Sequence, residues 1–157
     1  MAVVERTISA PVEEVFAVLA DGWSYSNWVV GTAHVAKVDA GWPQEGSRIW
    51  IRTGVWPVDA PGHTRSLTFE PPHRLVLRPT LWPAGELTVT LTLSTESPGR
   101  TRVRLEEDIA RGPLRGLRNK LNDVLLHARN VASLRRLADI AERRPAPTER
   151  PYEAEQG

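Results

Sequence analysis

The chain has 157 residues, carries no cysteine and is close to neutral, with 20 Lys and Arg against 19 Asp and Glu. One domain with one sizeable core follows from that length, and a disulfide framework, a thiolate metal site and a cysteine nucleophile are excluded together. No apolar run approaches the roughly eighteen residues of a membrane span, and Met1 leads directly into alternating residues instead of a leader pattern, so a cytoplasmic protein without stable membrane insertion is expected.

Residues 2–9 alternate and are rich in β-formers, which predicts a first strand. Pro11 stands where a helix accepts proline, and Glu13 and Glu14 fall in the first turn at the positive end of the dipole. Val12, Val15, Phe16 and Leu19 mark the buried face of that helix. Asp21-Gly22 ends it, and Asp21 can cap a second short helix running to about Asn27.

From Trp28 to about Arg111, turn-like clusters at Gly41 to Gly46, Pro57 to Gly62, Pro71-Pro72, Pro83 to Gly85 and Ser97 to Gly99 delimit strands at 29–38, 47–55, 63–70, 74–81, 86–95 and 100–110. Leu87, Val89, Leu91 and Leu93 alternate with Thr88, Thr90 and Thr92, giving one dry face and one wet face. Val103, Leu105 and Ile109 repeat the pattern. Short turns make these strands an antiparallel meander.

From Pro113 to about Arg143 apolar residues recur at steps of three and four, including Leu121, Val124, Leu125, Val131, Leu134 and Ala138, which predicts an α-helix. At 1.5 Å per residue it would run about 45 Å, enough to cross the domain. No other helix of comparable length is in the sequence, so its stripe must be buried against the dry face of the sheet. Arg115, Arg118 and Arg129 are expected on the opposite, solvated side. Residues 145–157, rich in Pro and Glu, cannot offset their ordering entropy and read as a disordered tail, leaving 1–144 as the domain.

The histidines at 34, 63, 73 and 127 share no metal-ligand spacing, and H-E-x-x-H, G-x-S-x-G and a glycine-rich phosphate loop are all missing, so neither a metal nor a cofactor is expected. Basic residues are concentrated over 111–144 but are not interleaved with exposed aromatics, so nucleic acid is not an expected partner. His34 falls in the second strand with Thr32 and Ala36 on one face; on a pocket wall it would serve as acid or base, and otherwise it bonds a neighbouring group. Glu107 shares the face of Val103, Leu105 and Ile109, so alternation points its carboxylate inward, where it needs either an answering Arg or a chemical purpose. Trp28 suits a packed core. Trp56, beside Pro57 at a strand end, suits a pocket mouth, and Trp50 points outward between Arg48 and Arg52.

The order of elements resembles the helix-grip fold of the START-like or SRPBCC superfamily, an α+β fold in which a seven-stranded curved antiparallel sheet wraps around a long C-terminal helix, with two short helices between strands one and two. Ile8-Ser9-Ala10-Pro11-Val12-Glu13-Glu14-Val15-Phe16 with Leu19, Asp21 and Trp28 resembles its opening, Phe69-Glu70-Pro71-Pro72-His73-Arg74-Leu75 its mid-sheet turn, Gly99 to Val103 its last hairpin, and Arg129-Asn130 with Leu134 and Leu137 its final helix. The chain looks most like the bacterial branch called polyketide cyclase/dehydrase and lipid transport. That resemblance implies a hydrophobic small-molecule partner, polyketide- or lipid-like, held in a cavity between sheet and helix. Trp28, Ile51, Trp56, Leu91, Leu93, Val103 and Leu125 are the expected ligand-binding residues. A binding or carrier protein is the first expectation; the alternative is a polyketide cyclase or dehydratase with His34 or Glu107 as acid or base. The enzyme needs convergent polar groups, and the sequence offers isolated ones. No oligomeric state follows from the sequence.

Overall fold

A computed structural model describes residues 2–55, 58–81, 85–112 and 120–143. In chain order the elements are β1 (Ala2–Ile8), α1 (Val12–Ala20), a 3-10 turn (Gly22–Ser24), α2 (Tyr25–Trp28), β2 (Thr32–Val38), β3 (Arg48–Val55), β4 (Val58–Glu70), β5 (Arg74–Leu81), β6 (Gly85–Ser97), β7 (Arg100–Arg111) and α3 (Lys120–Arg143). The sheet order is β1-β7-β6-β5-β4-β3-β2 with every neighbouring pair antiparallel. This is the helix-grip layout: β2 to β7 form a meander, and β1 closes onto the free edge of β7.

Two boundaries differ from those expected. β4 begins at Val58, so the stretch to Gly62 is strand and not turn. Pro61 and Gly62 pair with Arg52 and Ile51 of β3, whereas ladder pairing with β5 begins, among the described residues, at Thr64; Pro61 therefore sits where its missing N–H removes no ladder bond to β5 among the described residues, a setting in which a strand tolerates proline. β2 begins at Thr32 and not 29, because Gly31, with a φ of 101°, turns the chain where other residues would be strained.

α1 buries Val12, Val15, Phe16, Val18 and Leu19 and carries Glu13 and Glu14 in its first turn, as its pattern requires. Asp21 then accepts a hydrogen bond from the Trp23 amide at 3.2 Å, starting the 3-10 turn. Gly22 lies so close to the sheet that a Cβ there would meet Ile49 Cγ2 at 2.8 Å and Val38 Cγ1 at 2.9 Å. Only glycine lets this turn rest on β2 and β3 and carry α2 over the inner face.

The core lies on that inner face, where Leu75, Leu91, Leu93, Val103 and Leu105 meet Val15 and Leu19 of α1 and Leu134, Leu137, Ala138 and Ala141 of α3. Glu142 Oε1 accepts from the Ser9 amide at 3.0 Å, tying the end of α3 to the β1–α1 turn. On the outer face Trp50 stands as expected, with the Arg48 guanidinium 5.8 Å and the His63 ring 5.4 Å from its ring. The helix itself departs from expectation in its first half. α3 packs mainly on β1, α1, α2 and β7, and Val124, Leu125 and Val131 are 62, 59 and 41% exposed. Periodicity shows which residues share a face, not how far along the helix that face is covered. The expected helix start at Pro113 and the tail at 145–157 lie outside the described residues.

These packing differences set a stability contrast. Leu134, fully buried, should cost about 2–5 kcal/mol when truncated to alanine, whereas Leu125→Ala should cost under about 0.5 kcal/mol. Urea denaturation of the two variants measures both, and equal costs would contradict the partial cover of α3.

Candidate ligand cavity

α2, the loop to β2, the middle of α3 and the inner faces of β3 to β7 enclose a cavity of about 50 Å3. Ile49, Ile51, Leu77, Pro79, Val89 and Leu105 give it an apolar floor. Gly31, Thr32 and Arg129, at least partly exposed, form its mouth. The volume exceeds the roughly 10–15 Å3 that one water needs and falls below the roughly 150 Å3 that admits a benzene ring. Water or a small group fits the cavity at this volume, and a ring must push its walls apart.

Several polar groups of the walls have partners within the protein. Tyr25 is 3% exposed, and its hydroxyl donates to Leu19 O at 2.8 Å. Burial, reinforced by the Asp21 carboxylate, pushes this phenol well above its ordinary pKa, so it remains a neutral donor. Ser133 Oγ accepts from the Val30 amide at 3.0 Å. Arg129 reaches from α3 with two bonds: Nε donates to Val30 O at 2.8 Å and Nη1 to Glu107 Oε1 at 3.0 Å. Glu107 is 1% exposed and the Arg129 side chain 22%. Two donors remain. Trp28 Nε1 and Asn130 Nδ2 are buried without a hydrogen-bond partner, in residues that are each 3% exposed and border the cavity. A buried polar group left unpaired costs about 1–3 kcal/mol.

Of the residues expected from sequence, Trp28, Ile51 and Glu107 meet around this cavity. Leu91, Leu93 and Val103 are 0–2% exposed and belong to the closed core beside it, not to its walls; alternation assigns a face, but not a position along the strand. Leu125 shares a helix face with Arg129 and Ser133, yet stands one turn nearer the start of α3, where it is exposed. It does not line the cavity. His34 is also exposed, opposite Arg52, and is removed from the candidate acid-base pair. A register shift between Thr32 and His34 breaks the alternation that would have kept both on one face: Thr32 borders the cavity and Val35 takes the inward place. Trp56 lies outside the described residues. Arg129, expected on the solvated side, instead answers Glu107, and Asn130 and Ser133 were missed. Their signal was that Asn130 and Ser133 fall at steps of four and three between Leu126 and Leu137, polar residues at apolar positions of α3.

Among the described residues no group of three or more His, Asp or Glu is placed to hold a metal, and no helix is long and apolar enough to cross a membrane.

The sheet, the two short helices and the long final helix around an internal cavity define a helix-grip protein. The chain belongs to the family described as polyketide cyclase / dehydrase and lipid transport, which it matches over residues 1–142. Among solved structures it is similar to Zhui, an aromatase/cyclase from a Streptomyces species, at 20% identity and a TM-score of 0.73, covering 94% of this chain and 96% of that one. A protein from Mesorhizobium loti is 25% identical with a TM-score of 0.68, over 92% and 98% of the two chains. One from Chromobacterium violaceum is 20% identical with a TM-score of 0.66, over 92% and 97%. None of the curated proteins compared with the chain matches it.

The Glu107 and Arg129 side chains should be strongly coupled. Arg129→Met leaves a buried carboxylate without its cation, and the cost should fall toward the lower end of the about 3–5 kcal/mol typical of such a break, because Arg129 is partly solvated. Adding Glu107→Leu should recover most of that loss. A double-mutant cycle by chemical denaturation checks this; losses that simply add would show that the pair is not coupled.

Proposed function

We propose that the chain is a binding or carrier protein for a hydrophobic small molecule, polyketide- or lipid-like, taken up in the cavity between the sheet and α3. The observation that carries this reading is an apolar cavity whose buried carboxylate is already matched by a cation. A general base needs a carboxylate free to take a proton; Glu107 is held at 3.0 Å by Arg129, and no histidine among the described residues lines the cavity with it. Family membership supports the ligand class. We take residues 1–144 as the ligand-binding unit, with Trp28 and Ile51 among the residues that touch the ligand.

The cyclase or dehydratase reading draws support from the family description and from the aromatase/cyclase name of one structural neighbour. In that reading Glu107 is the group that moves a proton, with Arg129 setting its position.

Titration with N-phenyl-1-naphthylamine, a neutral apolar dye, should saturate at one molecule per chain and raise the melting temperature by about 5 °C or more at a hundredfold excess over Kd. Val89→Trp, which fills the cavity from a partly buried wall position, should abolish the binding. Absence of saturable binding by the unaltered protein would reject both readings. Conversion of a linear poly-β-ketone that falls about 10²–10⁴-fold in Glu107→Gln would favour the enzyme over the carrier.

A further inference from the structure

We infer that the cavity selects a ligand bearing a neutral hydrogen-bond acceptor, such as a ketone, ester or amide oxygen, through Trp28 Nε1 and Asn130 Nδ2, and rejects one bearing a carboxylate at that end. The inference rests on the binding reading above and narrows it to one polarity of ligand.

Trp28 ends α2 and Asn130 lies in the middle of α3, so two residues that each hold a buried, unpartnered donor border the cavity from separate elements that pack against each other. Native proteins seldom leave such groups unmatched, and two beside one cavity call for a common partner. A water fits a cavity of about 50 Å3 and can serve these donors in the unliganded protein, and a ligand acceptor then takes its place. The partner must be an acceptor, because an indole N–H donates only and the amide nitrogen presents N–H groups. Two neighbouring polar groups have partners of their own, with the Tyr25 hydroxyl donating to Leu19 O and Ser133 Oγ accepting from the Val30 amide.

Charge decides between a neutral and an anionic acceptor. The cation on the cavity wall, Arg129, already faces Glu107 at 3.0 Å. A ligand carboxylate would enter an apolar site with no spare countercharge among the described residues and with Glu107 nearby to repel it. A carbonyl oxygen brings the lone pairs the donors lack and no net charge.

Matched bicyclic probes test this by calorimetric titration: 1-tetralone as the neutral ketone, tetralin as the same skeleton without oxygen, and 1-naphthoate as the carboxylate. The unaltered protein should bind tetralone at least about tenfold more tightly than tetralin, the worth of one net hydrogen bond to a buried donor, and naphthoate more weakly than tetralone. In Asn130→Leu and in Trp28→Phe the tetralone-to-tetralin ratio should fall toward one, whereas His34→Gln, outside the cavity, should preserve it. Two variants on different elements guard against one failing to fold, and circular dichroism checks each. Equal binding of tetralone and tetralin by the unaltered protein overturns the acceptor assignment while leaving the apolar cavity intact. Naphthoate binding tightest overturns the neutrality. If no probe binds, the cavity reading fails and this inference falls with it.

Discussion

A buried carboxylate on the inner face of β7 constrains much of the architecture around it. Alternation along β7 sends Val103, Leu105 and Glu107 to one side, and at 1% exposure Glu107 has exchanged water for protein. Such a group persists in folded structure only if a cation and hydrogen bonds replace its hydration. Arg129 provides the cation from 22 residues further along the chain. The same guanidinium donates to Val30 O, and Ser133, one helical turn on, accepts from Val30 N. Residues i and i+4 lie on one helix face, so α3 can satisfy both backbone groups of Val30 only in one rotation about its axis. The ion pair thereby helps to set the rotation of α3, the path of the loop before β2 and the mouth of the cavity.

The two sides of the cavity are held by different means. Its floor is built on β3 to β7, where antiparallel ladders, interrupted by a few register shifts, fix the backbone. Its roof is joined to α3 by the bonds of Arg129 and Ser133 to Val30. Expansion beyond about 50 Å3 therefore costs less on the helix side, where a few side-chain bonds and not a ladder must stretch. Gly31, next to Val30, has its ideal Cβ position 3.9 Å from Arg129 Nε, so a side chain there would stand beside the very bond that closes the mouth.

Much of the fold was legible because strand alternation and turn chemistry are local. Leu87 to Leu93 and Val103 to Leu105 declare their face without reference to anything distant. Glu107 was legible for the same reason, as an apolar position filled by a carboxylate. His34 was not, because a bulge one residue away moves it to the other face, and a bulge leaves no mark in residue type. Arg129 was hidden differently: as an arginine on an amphipathic helix it has the signature of a solvated face, and its partner belongs to another element. The exposure of Leu125 depends on how far α3 extends past the elements that cover it, a tertiary fact that a repeat of three and four cannot carry.

The balance of donors and acceptors around the cavity bears on what kind of chemistry suits it. Tyr25 keeps its proton because burial disfavours the phenolate, and Arg129 donates to Val30 O and Glu107 Oε1. The indole of Trp28 and the amide of Asn130 have no proton to release. Against these donors the wall offers Glu107, whose Oε1 is held by Arg129. For that carboxylate to take a proton from a ligand, the charge attraction that secures α3 to β7 would have to weaken in the same step. Donors that hold their protons are suited to gripping an acceptor without exchanging a proton with it, and in an apolar chamber that favours recognition over acid-base turnover.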